Sequence, residues 1–395
     1  MLSWIKTHKA VVSYMGIAGL AVLLNLLAWC STAFCDAYIA KIFPIWVNTY
    51  GRLTGLVPWS VGEWLLIAGI LLAAGAVVLG LPSVWRKLRG HSFFAKKYLI
   101  FCAWVLVVVC LVMTLNCFML YHASTFSEKY MGGAEREYSV EELLQVRNMV
   151  AEQCNRLSGE VVRDEQGYIV YSGSVSAEGA EIDMLDKARE EMRALGEEYA
   201  QLQGYYPRPK PIFFSDFMCQ QYMLGWYFPF SMEANYNYVA YVMNQPSSLC
   251  HELAHLKGFI YEDEANFISY LACVRSEDIY FQYSGYLSVL GYLERDMRAA
   301  AEQSPNAFAA ACEAQELVEL LDIVYLDDVF VTDEEWERIE GKALLDTETV
   351  DNATDIFVDS TLKANGVADG KISYHRVVSL LLEYYAADAP LQFTP

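Results

Sequence analysis

The sequence predicts a membrane-anchored α+β protein, in which three N-terminal transmembrane helices precede a mostly helical domain with a small β-sheet. Three long apolar runs lie within the first 120 of the 395 residues. Those residues hold nine of the 28 basic and two of the 49 acidic side chains, a net charge of about +7, whereas the remainder carries about −28. Further along, an aromatic-rich segment is followed by stretches with helical periodicity. The acidic remainder also argues against nucleic acid as a partner.

The apolar runs cover residues 11–29, 64–81 and 98–120. Each is near the length that crosses ~30 Å of hydrocarbon as a helix. The first run follows two lysines, as the apolar part of a signal peptide would, but bulky Trp29 does not suit a cleavage site. Burial in a soluble core would not explain the strongly basic connection that follows the second run. We therefore expect three retained transmembrane helices, with the lipid bilayer as a partner.

The two connections between these runs differ in basic residues. The first connection contains Lys41 and Arg52 only, although it is the longer one. The second contains five basic residues: Arg86, Lys87, Arg89, Lys96 and Lys97. Because basic connections stay on the cytoplasmic side, the N-terminus and the second connection are expected to be cytoplasmic. This predicts a membrane domain over residues 1–121 and an extracytoplasmic domain over residues 122–395.

Helix signals open and close the outer domain. Ser139 and Glu142 form a capping-box pattern before an apolar-periodic run that Gly159 ends, which predicts a helix. A short strand is expected over residues 168–171, and a long charged helix over residues 182–202. Further helices are expected over residues 281–293, 356–362 and 377–384.

Residues 212–242 have the composition of β-strands. Three stretches there are aromatic-rich and bounded by turn residues: 212–214, 222–228 and 234–242. We expect these stretches to form the small sheet. An edge strand of such a sheet can pair with an extended peptide.

The segment after the predicted sheet contains the sequence His-Glu-Leu-Ala-His. His251 and His255 are four residues apart, so on a helix both imidazoles lie on one face and can bind Zn²⁺. Glu252 is then placed to take a proton from a water molecule at the metal. Pro246 and the two serines that follow it suit the start of a helix, and Gly258 suits its end.

A catalytic zinc site needs a third protein ligand and an open position. Glu262 and Glu264 follow the Gly258 break and both are candidates. Glu262 has Asn266 four residues later, so one helical face can supply a ligand and an amide that supports it. A third histidine ligand is excluded, because Tyr261 occupies the position that the pattern HExxHxxGxxH requires.

Several stretches together resemble the bacterial membrane-protein family known as domain of unknown function 3810. In chain order they are YFPFSMEAN (227–235), CHELAH (250–255), EDEANF (262–267), YSGY (283–286) and the segment 369–376 that begins with DG and ends with SYHR. The resemblance extends over nearly the whole chain. That family is similar to the gluzincin zinc metallopeptidases, which implies a zincin-like fold for the outer domain and location in the bacterial cytoplasmic membrane.

The resemblance also implies roles for individual residues. It supports His251 and His255 as metal ligands, Glu252 as general base, and Glu262 or Glu264 as the third ligand. The segment Glu-x-x-Ala-Asn, which starts at Glu262, resembles the ligand helix of other gluzincins. A tyrosine or a cationic group suits stabilisation of an oxyanion, and the candidates in the resembling segments are Tyr286, Tyr374, His375 and Arg376.

The leading hypothesis is a membrane-anchored zinc metallopeptidase that hydrolyses a peptide or protein substrate outside the cytoplasmic membrane. The alternative is a zinc-binding but non-hydrolytic membrane sensor or assembly factor with the same fold. An intramembrane protease is disfavoured, because polar Ser247, Ser248 and Lys257 and an acidic run surround the HExxH sequence.

Overall fold

The computed structural model describes residues 9–89, 94–133, 136–367 and 376–387. The chain is mostly helical with a small sheet, as the sequence predicts. It divides into two compact units. Unit 1 comprises Met1–Ser124 and the segment Phe228–Glu233, and unit 2 comprises Thr125–Tyr227 and Ala234–Pro395.

Unit 1 contains the three predicted apolar helices. They extend over Lys9–Cys30, Val61–Leu88 and Lys96–His122, and each is long and apolar enough to cross a membrane. The helices of this unit are α1 (Lys9–Cys30), α2 (Thr32–Lys41), α3 (Phe43–Trp46), α4 (Arg52–Thr54), α5 (Val61–Leu88) and α6 (Lys96–Met113). The prediction of three apolar spans is therefore confirmed, and their orientation stays a prediction.

The segment Phe228–Glu233 caps the start of α5. The Glu233 carboxylate accepts hydrogen bonds from the backbone N–H groups of Val61 at 3.2 Å and Gly62 at 2.8 Å. The first N–H groups of a helix have no partner within the helix, so a carboxylate there satisfies them and interacts favourably with the helix dipole. Ser231 Oγ donates to the same carboxylate at 2.7 Å, and Glu233 is buried. The conspicuous glutamate in YFPFSMEAN thus has a structural role.

Unit 2 contains the remaining helices of the described chain. In chain order they are α7 (Phe126–Tyr130), α8 (Val140–Ser158), α9 (Met184–Glu198), α10 (Ser215–Cys219), α11 (Gln245–His255), α12 (Glu262–Val274), α13 (Ile279–Gln303), α14 (Pro305–Ala314), α15 (Asp322–Asp327), α16 (Asp333–Glu340), α17 (Thr347–Ala364) and α18 (Val377–Ala387). The predicted capping box is present at α8: Ser139 and Glu142 each bond to the other's backbone N–H.

The strands are short and form two sheets. β1 (Ser174–Val175) pairs antiparallel with β2 (Glu181–Ile182). In the second sheet, β5 (Glu233–Tyr236) lies between β3 (Lys210–Pro211) and β4 (Gly225–Phe228). β3 and β5 are parallel, and β4 is an edge strand.

Two strand predictions are wrong in position. The segment 168–171 contributes an isolated bridge between Ile169 and Arg163 instead of a strand. The segment 212–214 follows β3 and leads into α10, with Phe213 and Phe214 exposed. Aromatic residues are frequent in strands because they pack on a pleated surface. These two phenylalanines do not lie on a strand, so their residue type was misleading here.

Helix α11, which carries the HExxH sequence, lies among α9, α12 and α13. Its apolar side chains Leu249 and Leu253 are fully buried, as are Phe267 and Leu271 on α12 and Tyr283 on α13. A helix buried on several sides is held in one orientation by packing, since protein interiors are close to crystal density. This packing fixes the direction in which the two histidines point.

Lys257 ties the segment after α11 to the loop after α9. Its ammonium group donates to the backbone carbonyls of Gln203 at 2.8 Å and Tyr205 at 3.0 Å, and lies 3.9 Å from the centre of the Tyr206 ring. We expect Lys257→Met to lower the free energy of unfolding by about 1–3 kcal/mol, because the hydrogen bonds from this buried side chain to two backbone carbonyls are lost. Thermal unfolding of the full chain in detergent measures this.

The control for this substitution is Lys363→Met. Lys363 is exposed on α17 and pairs with Asp359 at 2.7 Å. Exposed pairs contribute little, so this change should alter the free energy of unfolding by no more than about 0.5 kcal/mol. Equal unfolding midpoints for the two variants would contradict the role given to Lys257.

Candidate metal centre

The HExxH sequence lies on a regular helix, as predicted. Pro246 occupies the first turn of α11, where a missing N–H has no intrahelical partner to lose. The helix ends at His255, and Gly258 adopts a left-handed backbone with φ +88°, which only glycine adopts without strain. This glycine lets the chain turn back into α12.

The two imidazoles face each other through their Nε2 atoms, which are 3.1 Å apart. His251 Nδ1 lies 2.9 Å from Asn266 Oδ1, and His255 Nδ1 lies 2.7 Å from the carbonyl oxygen of Phe259. Both oxygens accept only, so each neutral ring carries its proton on Nδ1 and a lone pair on Nε2. Two lone pairs that point at the same volume are the arrangement in which histidines bind a cation.

Glu262 completes a group of three donors. It is the first residue of α12, and its Oε2 lies 3.0 Å from His251 Nε2 and 3.9 Å from His255 Nε2. The three donor atoms all lie within 4.8 Å of one another. In a tetrahedral zinc site with bonds of 2.0–2.1 Å, ligand atoms are about 3.3–3.4 Å apart. The observed distances lie on either side of that value, so the three residues fit such an ion.

Burial and mutual charge shift the pKa values in this group. Burial lowers the pKa of His255 to about 4, so this ring is neutral at physiological pH. Burial acts the same way on His251, but the hydrogen bond and negative charge of Glu262 outweigh it and raise the pKa of this ring. The carboxylate at Glu262 therefore favours positive charge at the position where the Nε2 atoms meet.

Glu252 is a buried carboxyl group beside these ligands. It is 5% exposed, and among the described residues its Oε2 has no hydrogen-bond partner. Burial, aided by the negative charge of Glu262, raises the pKa of Glu252 to about 8. A carboxyl group with a pKa near the working pH can both take up and release a proton, as a general acid–base catalyst must.

Strand β4 approaches Glu252 at Gly225. A Cβ atom at position 225 would lie 2.5 Å from Glu252 Oε1, closer than any normal contact. A side chain at this position would displace the Glu252 carboxyl group, so glycine lets the strand pass this close to it. Tyr227 lies two residues further along the same strand, and its ring centre is 5.9 Å from that of His255.

Glu264, the second candidate for the third ligand, occupies a different environment. Its carboxyl group accepts a hydrogen bond from the backbone N–H of Phe126, at the start of α7. Burial, together with the charge of Asp263, raises the pKa of Glu264 well above its usual range. Glu262 is therefore the carboxylate that the structure places with the histidines.

Two of the four oxyanion candidates, Tyr286 and Arg376, lie in the described part of the chain. Tyr286 lies on α13, and its ring contacts that of Tyr270 at 5.9 Å. Arg376 is exposed. Burial raises the pKa of Asp263 on α12 to about 6, and the charge of Arg376 opposes that shift. Tyr374 and His375 lie outside the described residues.

A protein family described as "Protein of unknown function (DUF3810)" matches residues 38–382. The chain belongs to this family. The DUF3810 match begins within α2 and ends within α18, so it includes α11, Glu262 and the second and third apolar helices. No curated protein and no solved structure matches the chain.

Sequence reasoning about this DUF3810 chain missed two residues beside the ligands. Gly225 contacts Glu252, as described above, and Tyr292 on α13 is hydrogen-bonded to the side chain of Asn266. Both contacts join residues that are distant in sequence. The position of Gly225 directly before three aromatic residues could have indicated a close backbone approach. The sequence has no comparable signal for Tyr292.

Proposed function

We propose that this DUF3810 protein is a membrane-anchored, zinc-dependent metallopeptidase that hydrolyses peptide bonds at an extracytoplasmic site. The observation that carries the proposal is the convergence of His251, His255 and Glu262 next to the buried carboxyl group of Glu252, whose Oε2 has no hydrogen-bond partner among the described residues. A purely structural zinc site does not require such a carboxyl group.

The donor set supports zinc as the cofactor. Two neutral imidazoles and one carboxylate are a known ligand set for catalytic zinc, in which a fourth position stays open. Asn266 Oδ1 and the Phe259 carbonyl hold the two rings in the required tautomer. When bound, zinc supplies Lewis acidity and lowers the pKa of a coordinated water molecule.

The residues of the chain would handle the protons. Glu252 takes a proton from the attacking water through a carboxylate oxygen, holds it, and delivers it to the nitrogen of the leaving amine. Burial raises the pKa of Glu252, and the positive charge of a bound zinc ion would act in the opposite direction, towards the carboxylate form that takes up the proton. General acid–base catalysis of this kind contributes about 10²–10⁴-fold to the rate.

The elements around the site support a zincin-like fold of the gluzincin type. An HExxH helix is followed by a second helix that begins with the carboxylate ligand, and a small sheet precedes both. The edge strand β4 lies against Glu252 through Gly225. An edge strand is an element to which an extended peptide can add as a further strand. A peptide or protein is therefore the proposed substrate.

Location of the site outside the cytoplasmic membrane is part of the proposal. It rests on the basic connection between the second and third apolar helices. We expect reporter fusions at Gly90 and at the C-terminus to give opposite signals, with Gly90 cytoplasmic and the C-terminus outside. Fusions that report the same side would contradict this topology.

Substitution of Gly225 tests the contact between β4 and Glu252. We expect Gly225→Ala to lower peptide hydrolysis by about 10²-fold, because the added methyl group displaces the Glu252 carboxyl, and small misplacements cost that much. Zinc content should be unchanged. Gly291→Ala is the matched control, since a Cβ there meets nothing within 4 Å; equal activities of the two variants would contradict the contact.

The experiment that tests the proposal uses the full chain, purified in detergent without chelators. Elemental analysis should give about one zinc per chain, and a mixed peptide library should be cleaved. Zinc without cleavage would favour the non-hydrolytic sensor or assembly factor. Absence of zinc would overturn the metal site itself.

A further inference from the structure

Two buried polar groups lie one helical turn apart on α11, and each has an atom without a hydrogen-bond partner. Ser248 is 7% exposed and Glu252 is 5% exposed. Among the described residues, neither Ser248 Oγ nor Glu252 Oε2 has a partner. Most buried side-chain polar groups in native proteins are paired, so each exception calls for an explanation.

The spacing of these two residues places them side by side. Residues four apart on an α-helix differ by about 40° of rotation, so Ser248 and Glu252 share a face of α11. Helix side chains lean towards the N-terminus, which directs the Glu252 side chain towards the turn that carries Ser248. His251 and His255 follow Ser248 at helical spacing on the same face. Ser248 therefore lies at the N-terminal end of the face that carries the candidate metal centre.

The neighbouring serine has a different environment. Ser247 is equally buried, at 6% exposed, but its hydroxyl group donates to the carbonyl oxygen of Asn244 at 3.3 Å and accepts from Ser284 Oγ at 3.1 Å. It precedes Glu252 by five residues, which places the two about 140° apart around the helix. Ser247 thus has the hydrogen bonds of a structural serine, and Ser248 does not.

A buried hydroxyl group without a partner opposes folding. Its hydrogen bonds to water are lost on burial, and no described residue replaces them at Ser248. Alanine at this position would therefore suit the fold at least as well as serine. Groups that break a rule of folding in this way are found mainly at functional sites. The contrast with Ser247 indicates a role for Ser248 in the chemistry of the site.

We propose that Ser248 is a positioning residue for the candidate general base: its hydroxyl group donates a hydrogen bond to the Glu252 carboxylate and holds one oxygen, so that the other faces the attacking water. This inference rests on the proposed function. A carboxylate only accepts, so the bond runs from Ser248 to Glu252.

The two carboxyl oxygens of Glu252 have different surroundings. Strand β4 limits the space at Oε1 through Gly225, whereas Oε2 lacks a partner. Rotation about the Cα–Cβ bond of Ser248 gives its Oγ three staggered positions from which to approach Oε2. A hydrogen bond to a charged acceptor is about twice as strong as one between neutral groups, so this donor can hold the carboxylate in place.

The test uses full-length variants purified in detergent and a peptide that wild type cleaves in the mixed library. We expect Ser248→Ala to lower kcat by about 10–100-fold, because small misplacements of a catalytic group cost that much. KM and zinc content should not change, since the hydroxyl group acts on the base and contacts neither the metal nor the bound peptide. Ser247→Ala is the matched control and should keep the kcat of wild type.

Thermal unfolding of the same proteins separates positioning from a structural role. Ser247→Ala should lower the unfolding temperature, because it removes two hydrogen bonds. Ser248→Ala should leave that temperature unchanged or raise it, because it removes a hydroxyl group without a partner. The two adjacent serines should therefore differ in opposite directions in activity and in stability.

Three results would each overturn the inference. They are a Ser248→Ala protein with the kcat of wild type, one that loses zinc, and one that unfolds at a lower temperature than Ser247→Ala. A wild-type protein that binds zinc but cleaves no peptide would instead overturn the proposed function.

Discussion

Glu252→Gln is expected to remove nearly all peptide hydrolysis, by about 10²–10⁴-fold, while the protein keeps its zinc and its fold. The amide has the size of the acid but cannot take a proton from water. Glu252 is not one of the three donors that lie within 4.8 Å of one another, so zinc content should not change. The fold should persist because the buried site already favours a neutral group, as the pKa of about 8 indicates.

The measurement pairs zinc content with turnover of a mixed peptide library for wild type and variant. A variant that cleaves as fast as wild type would remove Glu252 from the proposed mechanism. A variant that loses zinc as well as activity would make Glu252 part of the metal site. If both proteins hold zinc and neither cleaves any peptide, the sensor or assembly factor becomes the better proposal.

Loss of the metal is the second large effect, and it is expected for the double variant His251→Ala/His255→Ala. The two rings supply two of the three donors, and the remaining carboxylate is too weak a site to retain zinc through purification. Elemental analysis of wild type and variant, purified side by side without chelators, measures the outcome. Equal zinc content in both would show that the bound metal lies elsewhere.

The third ligand is tested by the same chemical change at two neighbouring positions. Glu262→Gln should weaken zinc binding by at least about 10–100-fold, since even groups behind the ligands have effects of that size. Glu264→Gln should leave zinc affinity unchanged, because glutamine can still accept from the N–H of Phe126. The opposite ranking of the two variants would assign the ligand to Glu264.

Local sequence patterns were sufficient to predict the elements that carry the ligands. The capping box at Ser139, the end of α11 before Gly258 and the shared face of His251 and His255 all depend on residues within one or two helical turns. The prediction of the three apolar helices also depends on local sequence alone, because the length and hydropathy of each segment are sufficient to identify it.

The choice between Glu262 and Glu264 could not be made from local pattern. Glu262 and Glu264 are two residues apart, and on a helix this places their side chains on nearly opposite faces, about 200° of rotation apart. Only one of them can therefore face the histidines. Which one does so depends on the packing of α12 on α11, and the N–H of Phe126 fixes Glu264 on the other side. Tyr292 and Gly225 depend in the same way on contacts between distant segments.

The short distance along the chain between the ligands affects how the centre assembles. All three lie within residues 251–262, and His255 and Glu262 are seven residues apart. By the entropy of loop closure, bringing the ends of so short a loop together costs about 2 kcal/mol less than for a loop of about 100 residues. A single turn of the chain at Gly258 therefore brings the three ligands together. We expect the ligands to meet before α13 docks, so that a cation can bind to an early, local part of the structure and the remainder of unit 2 closes around it.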